Sequence, residues 1–380
     1  MVGAGIEGSN AARYSALLGK NTLCLEQFPI PHDRGSSHGQ SRITRHSHGE
    51  AHLARMMPEA FKLWEEIEQL ANTQLFVNCG YLEMDDYPYN AHKVILENFE
   101  KNGVPSEVVG SKQLKENYHF DFPESVRGLL EKTGGILLAS KCLRAVQDQF
   151  VKFGGILHDN EKVLEITPGD VVLVKTNKGL YKAKNLILTP GPWAPTVLKS
   201  IGVDLQLRPK HITVCYWKVK KNGFDAKDNY PTWYSKIQSS SRGHQGYIYS
   251  TPCLEYPDLL KVCYHDGPEV QPESRDQVDV TWTVDAAAEF VGRHLPEVES
   301  QPSIVETCMY TLTPDRTCVL DRHPRFSNII LGVGFSGSGF KLSPVYGKIL
   351  CELAFNLKQS YDLQEFRLDR FENHLVKSLL

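Results

Sequence analysis

Residues 308–341, which read CMYTLTPDRTCVLDRHPRFSNIILGVGFSGSGFK, contain the clearest structural pattern in the chain. The apolar run 328–333 predicts a β-strand, and a helix is expected to begin near Phe340. Between them lies a glycine-rich turn with Gly334, Gly337 and Gly339. A strand, a glycine turn and a helix bring backbone N–H groups and a helix N-terminus close to an anionic group. The helix dipole disfavours Lys341 in the first turn, so we expect an anion, such as a substrate carboxylate, beside it.

A second glycine pattern lies at the N-terminus, in residues 3–8, GAGIEG. Its glycines are Gly3, Gly5 and Gly8. A helix to about Leu18 and a strand ending in Glu26 follow, which is typical of dinucleotide binding: glycines approach the pyrophosphate and the acidic residue binds a ribose hydroxyl. Only Met1 and Val2 precede the pattern, where a full apolar strand is expected. An added apolar strand of about six residues is therefore expected to raise stability and dinucleotide content.

Residues 34–46, RGSSHGQSRITRH, predict a polar loop that leads into a short helical turn. In a helix, Arg42 and Arg45 would project from the same side. Two adjacent guanidinium groups repel each other unless an anion or a dipole lies between them. The alternatives are a binding site and two solvated surface arginines, and the Gly, Ser and His residues around them favour a site.

The middle of the chain predicts a change of sheet type. Helices are expected at 57–71, with Pro58 in the first turn, and at 139–153, with strands at 162–166, 171–176 and 185–189. Residues 81–133 have the mixed composition of an insertion, and three strands within 209–265 predict an antiparallel sheet. In the third strand Lys261, Cys263 and His265 share one face, which is either solvated surface or the wall of a cavity.

Composition favours small-molecule chemistry over polymer binding. The 380 residues carry a net charge of −3 without a basic block, so nucleic acid is not an expected partner. No apolar run approaches the roughly 18 residues of a membrane span, and a soluble intracellular protein is expected. Nine cysteines without a ligand spacing predict free thiols and no metal site.

Several motifs together resemble the monomeric sarcosine oxidase family, in particular its animal peroxisomal branch, which oxidises sarcosine and L-pipecolate. They are GAGIEG, SSHGQSRITR, LLKVCYH, CMYTLTPD and GFSGSGFK. The resemblance implies an α/β (mixed α+β) fold: an FAD-binding Rossmann domain of the glutathione-reductase type with an interleaved antiparallel-sheet substrate domain. The FAD domain would comprise residues 1–80, 134–208 and 305–380, and the substrate domain 81–133 and 209–304.

The same resemblance implies roles for individual residues. FAD would be attached covalently to Cys308, which shares a strand face with Tyr310. Arg45 and Lys341 would hold the substrate carboxylate, and Lys261 would assist oxygen reduction near flavin N5. Arg42 would lie against the flavin, and His265, Tyr249 and Tyr310 would shape the substrate pocket. The full cofactor-binding set would be Gly3, Gly5, Gly8, Glu26, Ser37, His38, Ser41, Arg42, Val163, Cys308, Gly334, Gly337, Gly339, Phe340 and Lys341. Ser338 stands where the family usually has histidine.

The expected activity is oxidation of a small secondary α-amino acid by oxygen, which gives an imine and hydrogen peroxide. The alternatives are a flavin-dependent amine dehydrogenase with another electron acceptor and a non-catalytic dinucleotide-binding homologue. A monomer is expected. The C-terminal Ser378, Leu379 and Leu380 form a loose variant of the S-K-L address, which predicts an import receptor as partner and a peroxisomal location, with the cytoplasm as the alternative.

Overall fold

The computed structural model describes residues 1–86, 93–237 and 246–371, so the C-terminal S-L-L lies outside the described residues. The α-helices are α1 (Ile6–Leu17), α2 (Ala51–Ala71), α3 (Lys93–Lys101), α4 (Ser111–Tyr118), α5 (Ala139–Lys152), α6 (Ala194–Ser200), α7 (Thr281–His294) and α8 (Gly339–Ala354). The strands are β1 (Leu23–Leu25), β2 (Ser41–Thr44), β3 (Phe76–Asn78), β4 (Tyr81–Asp85), β5 (Ser106–Gly110), β6 (Arg127–Glu131), β7 (Gly135–Leu138), β8 (Ile156–His158), β9 (Val163–Thr167), β10 (Val172–Thr176), β11 (Leu180–Ala183), β12 (Leu186–Leu188), β13 (Arg208–Val219), β14 (Thr232–Ser235), β15 (Ile248–Thr251), β16 (Leu259–Tyr264), β17 (Val298–Leu312), β18 (Val319–Arg322) and β19 (Ile329–Val333).

The first layer is a mostly parallel sheet in which Val2 joins two groups of strands. Strand β1 pairs in parallel with β8, and β12 pairs in parallel with β19, which also holds the antiparallel β18. Val2 forms parallel bridges to Leu25 and Leu188, so it lies between β1 and β12, where the sequence predicts the first strand. The resulting order, β18-β19-β12-Val2-β1-β8, is that of a dinucleotide-binding sheet.

Helices α1 and α8 pack closely against each other beside this sheet. A Cβ at Gly347 would lie 2.6 Å from the backbone nitrogen of Ala11, so only glycine permits this approach. The Asn10 side chain donates a hydrogen bond to Ser343 Oγ at 3.0 Å, which also joins the two helices. Helix α1 follows Val2 and helix α8 follows β19, so each helix starts from the parallel sheet. Their packing against each other then fixes the positions of both N-termini.

The second large sheet has eight strands in the order β17-β13-β16-β15-β14-β4-β6-β5. The antiparallel pairing predicted for 209–265 is confirmed for β13, β15 and β16. Only the β14 and β4 pair is parallel within this sheet of the described residues, and through it strands from 81–131 join those from 208–312. Strand β17 pairs with β13 from Leu312 to Val298, with irregular register near Trp217.

Two local predictions were wrong. Residues Ser41–Thr44 form a strand that pairs with β7, not a helical turn, so Arg42 and Arg45 are not helical neighbours. The β-branched Ile43 and Thr44 suit an extended backbone, and the free edge of β7 supplies hydrogen bonds that a lone turn lacks. Helix α2 begins at Ala51, so Pro58 lies inside the helix and not in its first turn. Among the described residues, no helix combines the length and apolar character needed to cross a membrane.

Candidate active site

A cavity of about 350 Å³ opens where the parallel strands meet the N-termini of α1 and α8. Ligand pockets of this kind are common at the carboxyl ends of parallel strands. Predicted cofactor residues that line it are Gly3, Gly5, Glu26, Ser37, His38, Arg42, Val163, Gly334, Gly337, Gly339 and Phe340, together with Tyr310. The two glycine motifs, from opposite ends of the chain, therefore form one site.

Gly3 and Gly8 of the GAGIEG motif have two different structural roles. Gly3 has a φ of +95°, and a Cβ there would lie 2.4 Å from the carbonyl oxygen of Thr189. Gly8 does not line the cavity; a Cβ there would lie 2.0 Å from the oxygen of Gly3, so Gly8 allows α1 to approach the sheet. Glu26 lines the cavity after β1 and accepts hydrogen bonds from the N–H groups of Ala4 (3.0 Å) and Phe28 (3.1 Å). Each carboxylate oxygen keeps a lone pair for a ribose hydroxyl.

Arg42 is held against the opposite wall by the loop before β2. Its guanidinium donates hydrogen bonds to the carbonyl oxygens of Ser36 (2.8 Å), His38 (2.6 Å) and Ser41 (2.7 Å). It lies 5.5 Å from the centre of the Phe340 ring. A guanidinium in such a cage has a fixed position, which a solvated surface arginine lacks. Ser37 Oγ accepts a hydrogen bond from the N–H of Ile6 at 2.9 Å, so the same loop touches the first turn of α1.

Cys308 lies on β17 beside this arginine. Its Sγ is buried and 3.7 Å from Arg42 Nη2. The next residues of the strand, Met309 and Tyr310, line the cavity. The thiol is thus placed at the edge of the cofactor cavity, unlike the structural cysteines in the core.

Aromatic rings surround His265 near the same strand. The ring centres of Tyr249, Tyr310 and Tyr234 lie 5.5, 5.2 and 6.0 Å from that of His265. The Tyr310 hydroxyl and His265 Nδ1 are 3.2 Å apart. Burial, together with the charges of Arg45 and Lys341, lowers the pKa of His265 to about 4, so the imidazole is neutral at physiological pH. A site lined by such rings binds an amine more favourably than a hydrated anion.

Arg45 and Lys341 form a cationic cluster beside these rings, and the neutral imidazole of His48 adjoins them. Lys341 is 6% exposed, and burial with the nearby charge of Arg45 lowers its pKa to about 7. His48 is 5% exposed, and its Nε2 has no hydrogen-bond partner among the residues that the structure describes. Burial, then Arg45 and Lys341, lower the pKa of His48 well below its usual value. Lys341 forms no ion pair within the described part of the chain, so the cluster is suited to bind an anion.

The carboxylates of Glu83 and Glu131 are buried near Arg45 and stabilise its positive charge. Burial lowers the pKa of Arg45, but Tyr81, Glu83 and other neighbours outweigh this and raise it. Its guanidinium lies 4.7 Å from the centre of the Tyr81 ring, and its Nε donates to the oxygen of Ser47. Glu131 accepts hydrogen bonds from the N–H groups of His46 and Ser47, which fixes the loop after β2. Arg45 thus stays charged and in place without an anionic ligand.

Lys261 is a buried cation on β16, on the same face of the large sheet as Cys308. It is 5% exposed and donates a hydrogen bond to Ser41 Oγ at 3.0 Å. Glu255 Oε1 lies 3.5 Å from its Nζ. The face that Lys261 shares with Cys263 and His265 is therefore interior rather than solvated surface.

Sequence reasoning missed Glu7, His48, Tyr234 and Glu255. Glu7 lines the cavity, and a Cβ at Gly339 would lie 2.3 Å from its Oε1, so its carboxyl faces the start of α8. Burial raises the pKa of Glu7 to about 7, although a hydrogen bond from its own backbone and the charge of Arg42 oppose this. A charged residue inside a glycine motif was the only sequence signal for Glu7. His48 follows Arg45 in a polar run, which was the corresponding signal there.

The arrangement fits FAD on three grounds. The glycine backbones allow the close approach of a pyrophosphate, Glu26 is placed for a ribose hydroxyl, and Arg42 and the start of α8 supply positive potential for an electron-rich ring. The cationic cluster and the aromatic group lie next to this cavity. The site can therefore orient an amino acid beside a dinucleotide cofactor.

Comparisons with known proteins agree with this arrangement. The family model described as FAD dependent oxidoreductase matches residues 1–353. The chain is 42% identical to human peroxisomal sarcosine oxidase over 98% of its own length and 95% of that protein. It is 30% identical to monomeric sarcosine oxidase from Bacillus sp. (strain NS-129), over 97% and 96% of the two chains.

Solved structures show the same fold. NikD, an unusual amino acid oxidase essential for nikkomycin biosynthesis, matches with a TM-score of 0.83 and 22% identity over 96% of this chain and 95% of that chain. Glycine oxidase from Geobacillus kaustophilus matches with a TM-score of 0.77 and 15% identity over 97% of each chain. The resemblance inferred from the motifs is confirmed. The chain belongs to the FAD dependent oxidoreductase family and is an FAD-dependent amine oxidase related to the sarcosine oxidases.

Proposed function

We propose that the protein oxidises a small secondary α-amino acid, sarcosine or L-pipecolate, with oxygen. Loss of the C–H and N–H hydrogens gives an imine, and oxygen takes up both electrons and both protons to give hydrogen peroxide. The observation that carries this proposal is the cationic cluster beside the aromatic group, next to the cofactor cavity. The names of the relatives in human and Bacillus support the same substrate.

In this proposal the protein's own residues orient the substrate and set its protonation state. Arg45 and Lys341 bind the carboxylate, and the rings of Tyr249, His265 and Tyr310 surround the amine. Since His265 is neutral, it does not repel a cationic amine, and a fixed carboxylate holds the reacting C–H bond in one position. FAD, when bound, supplies the two-electron acceptor.

We further propose a covalent bond between FAD and Cys308, on the evidence of its position beside Arg42 at the cavity edge. Residues 1–80, 134–208 and 305–380 would form the FAD domain, and residues 81–133 and 209–304 the substrate domain. The names of the human and mouse relatives support a peroxisomal location, with an import receptor at the C-terminus as partner. The name of the Bacillus relative supports a monomer.

The activity is tested by adding sarcosine, L-pipecolate and glycine separately to the purified holoenzyme. With the secondary amino acids we expect one hydrogen peroxide for each oxygen consumed. Glycine should give much less hydrogen peroxide, because its primary amine makes fewer contacts with the rings around His265. Reduction of an artificial dye without peroxide would instead support a dehydrogenase. Failure of every secondary amino acid to reduce the flavin would contradict the proposal.

A Lys341→Met variant tests the carboxylate contact. A hydrogen bond to a charged group contributes about 1.5–3 kcal/mol, so kcat/KM should fall roughly 10- to 150-fold for sarcosine or L-pipecolate. The fall should be much smaller for a secondary amine without a carboxylate. Lys348→Met is the matched control, because Lys348 lies on the same helix but pairs with Glu59 at 2.7 Å. Equal losses with both kinds of amine would assign Lys341 to the flavin or to folding.

The same contact predicts a pH dependence. The pKa of Lys341 is about 7 without an anion, and a bound carboxylate should raise it. The affinity for a carboxylate that cannot be oxidised, such as propionate, should therefore be highest below pH 7 and fall as pH rises. The fall is measured by titrating the flavin spectrum with propionate between pH 6 and 9. It should be absent in Lys341→Met and present in Lys348→Met.

A further inference from the structure

A chain of hydrogen-bonding side chains runs from Lys261 towards the surface, away from the substrate pocket. Glu255 contacts Lys261 with Oε1, and the Tyr216 hydroxyl donates to its other oxygen. The Tyr216 oxygen also lies 3.4 Å from Glu306 Oε2. Glu306 is half-buried on β17 and accepts a hydrogen bond from the Tyr256 hydroxyl at 2.6 Å. The chain thus connects a buried cation to a carboxyl group that solvent can reach.

The strand pairing fixes the inner part of this chain. Tyr216 of β13 and Lys261 of β16 are directly opposite each other in the antiparallel ladder, so their side chains share one face. The Tyr216 ring is buried and packs edge-on against that of Tyr256, with centres 4.9 Å apart. The side chain of Glu255 is 3% exposed. Burying a glutamate, a lysine and a tyrosine on an apolar sheet face is costly unless they pair, and here Glu255 pairs with both Lys261 and Tyr216.

The hydroxyl of Tyr216 has one proton and two acidic neighbours. It donates this proton to Glu255, so its contact with Glu306 becomes a hydrogen bond only when Glu306 carries a proton. A proton on Glu306 can then pass to the Tyr216 oxygen as the tyrosine proton moves to Glu255. Tyr216 is neutral before and after this step.

We propose that Glu306, Tyr216 and Glu255 form a proton relay that reprotonates Lys261 during oxygen reduction. This inference rests on the proposed function, in which oxygen accepts two electrons from the reduced cofactor and two protons to become hydrogen peroxide. Lys261 gives one of these protons to the reduced oxygen and becomes a neutral amine. Glu306 takes a proton from solvent and passes it to Tyr216 as Tyr216 passes its own proton to the Glu255 carboxylate, and Glu255 then passes that proton to Lys261. One proton enters and one leaves, so each residue returns to its starting state.

The resting charges suit this direction of transfer. Burial raises the pKa of Glu255, but Lys261 and hydrogen bonds from Ser41 and Tyr216 outweigh it and lower the value, so Glu255 is ionised beside a charged lysine. When Lys261 loses its proton, the interaction that kept Glu255 ionised disappears, and Glu255 becomes a better proton acceptor. Burial and Glu255 raise the pKa of Tyr216 strongly, so the tyrosine transfers protons without being left as an anion.

The test compares Tyr216→Phe with Tyr256→Phe. Both variants lose one hydroxyl and keep a ring, but Tyr216 contacts both Glu255 and Glu306, whereas the Tyr256 hydroxyl donates to Glu306. The holoenzyme is reduced by light without substrate and mixed with oxygen. Reoxidation of Tyr216→Phe should be about 100-fold slower, the low end of the roughly 10²- to 10⁴-fold that proton transfer contributes, with a larger solvent deuterium isotope effect. Tyr256→Phe should reoxidise within about twofold of the parent, well below that range.

A second measurement checks the hydrogen bonds independently of turnover. The infrared carboxylate signal of Glu255 is identified as the one lost in Glu255→Gln. It should shift in Tyr216→Phe and remain in place in Tyr256→Phe. Thermal unfolding of both tyrosine variants establishes that they are folded.

The outcomes separate this inference from the proposed function. Equal reoxidation rates of the two tyrosine variants, or an unshifted Glu255 signal in Tyr216→Phe, would overturn the relay. Because the flavin is reduced by light, failure to oxidise an amino acid would appear only in the substrate-driven reduction. That failure would contradict the proposed substrate and leave the relay result valid.

Discussion

A Lys261→Met variant is expected to react with oxygen roughly 10²- to 10³-fold more slowly than the parent protein, with little change in reduction by substrate. Two unit charges about 4 Å apart interact by about 4 kcal/mol at an effective dielectric constant near 20, and each 1.36 kcal/mol is a tenfold change in rate. Lys261 is buried, so water screens it little. In the proposed reaction oxygen acquires negative charge as it accepts electrons, and the lysine would stabilise that charge.

The measurement is reoxidation of the light-reduced holoenzyme in a stopped-flow instrument. Lys218→Met is the control, since Lys218 is an exposed lysine on β13, next to β16 in the same sheet. Lys261→Met leaves the Glu255 carboxylate without its ammonium partner, so Lys261→Met with Glu255→Gln is made as well. If that double variant reoxidises as fast as the parent, Lys261 has no electrostatic role in oxygen reduction.

A Cys308→Ser variant is expected to lose all flavin that stays with the denatured polypeptide. A serine hydroxyl is far less acidic and less nucleophilic than a thiol, so it should not form the bond that we propose at Cys308. The glycine backbones, Glu26 and Arg42 remain, so the folded variant should still bind FAD reversibly. The measurement is flavin fluorescence and polypeptide mass after denaturation.

Cys318→Ser is the matched control for this substitution. Cys318 is also buried, ten positions further along, but burial raises the pKa of its thiol to about 12, so it is unreactive. The control should retain its flavin on denaturation. Complete release of flavin from the parent protein, or retention by Cys308→Ser, would show that attachment at Cys308 is wrong.

The features predicted correctly from sequence were local ones. Glycine spacing, followed by apolar periodicity, was enough to predict β19 with its turn and α8, and the strand after GAGIEG ending in Glu26. These patterns depend on residues within about a dozen positions of each other. Arg42 was placed in a helix incorrectly, because the partner strand β7 that makes its segment extended lies about a hundred residues away.

The composition of the proposed substrate pocket was only partly predictable for a related reason. Arg45 and Lys341 were identified through the family resemblance, whereas His48 and Tyr234 carry no motif and join them only in three dimensions. Glu255 was missed because its partner Lys261 makes the contact across a turn. Burial changes the chemistry of such residues, and a sequence pattern does not report burial at a single polar position.

Strand β17 carries one residue from each of three proposals: the proton relay, the flavin attachment and the substrate pocket. Glu306, Cys308 and Tyr310 alternate along it and are opposite Val214, Ile212 and Lys210 of β13. Because side chains alternate between the faces of a strand, a slip of one residue would turn all three away together. The positions of all three side chains therefore depend on the same strand register. If flavin is attached at Cys308 as we propose, and only after β17 has paired, covalently bound flavin would identify molecules in which the register of β17 is correct.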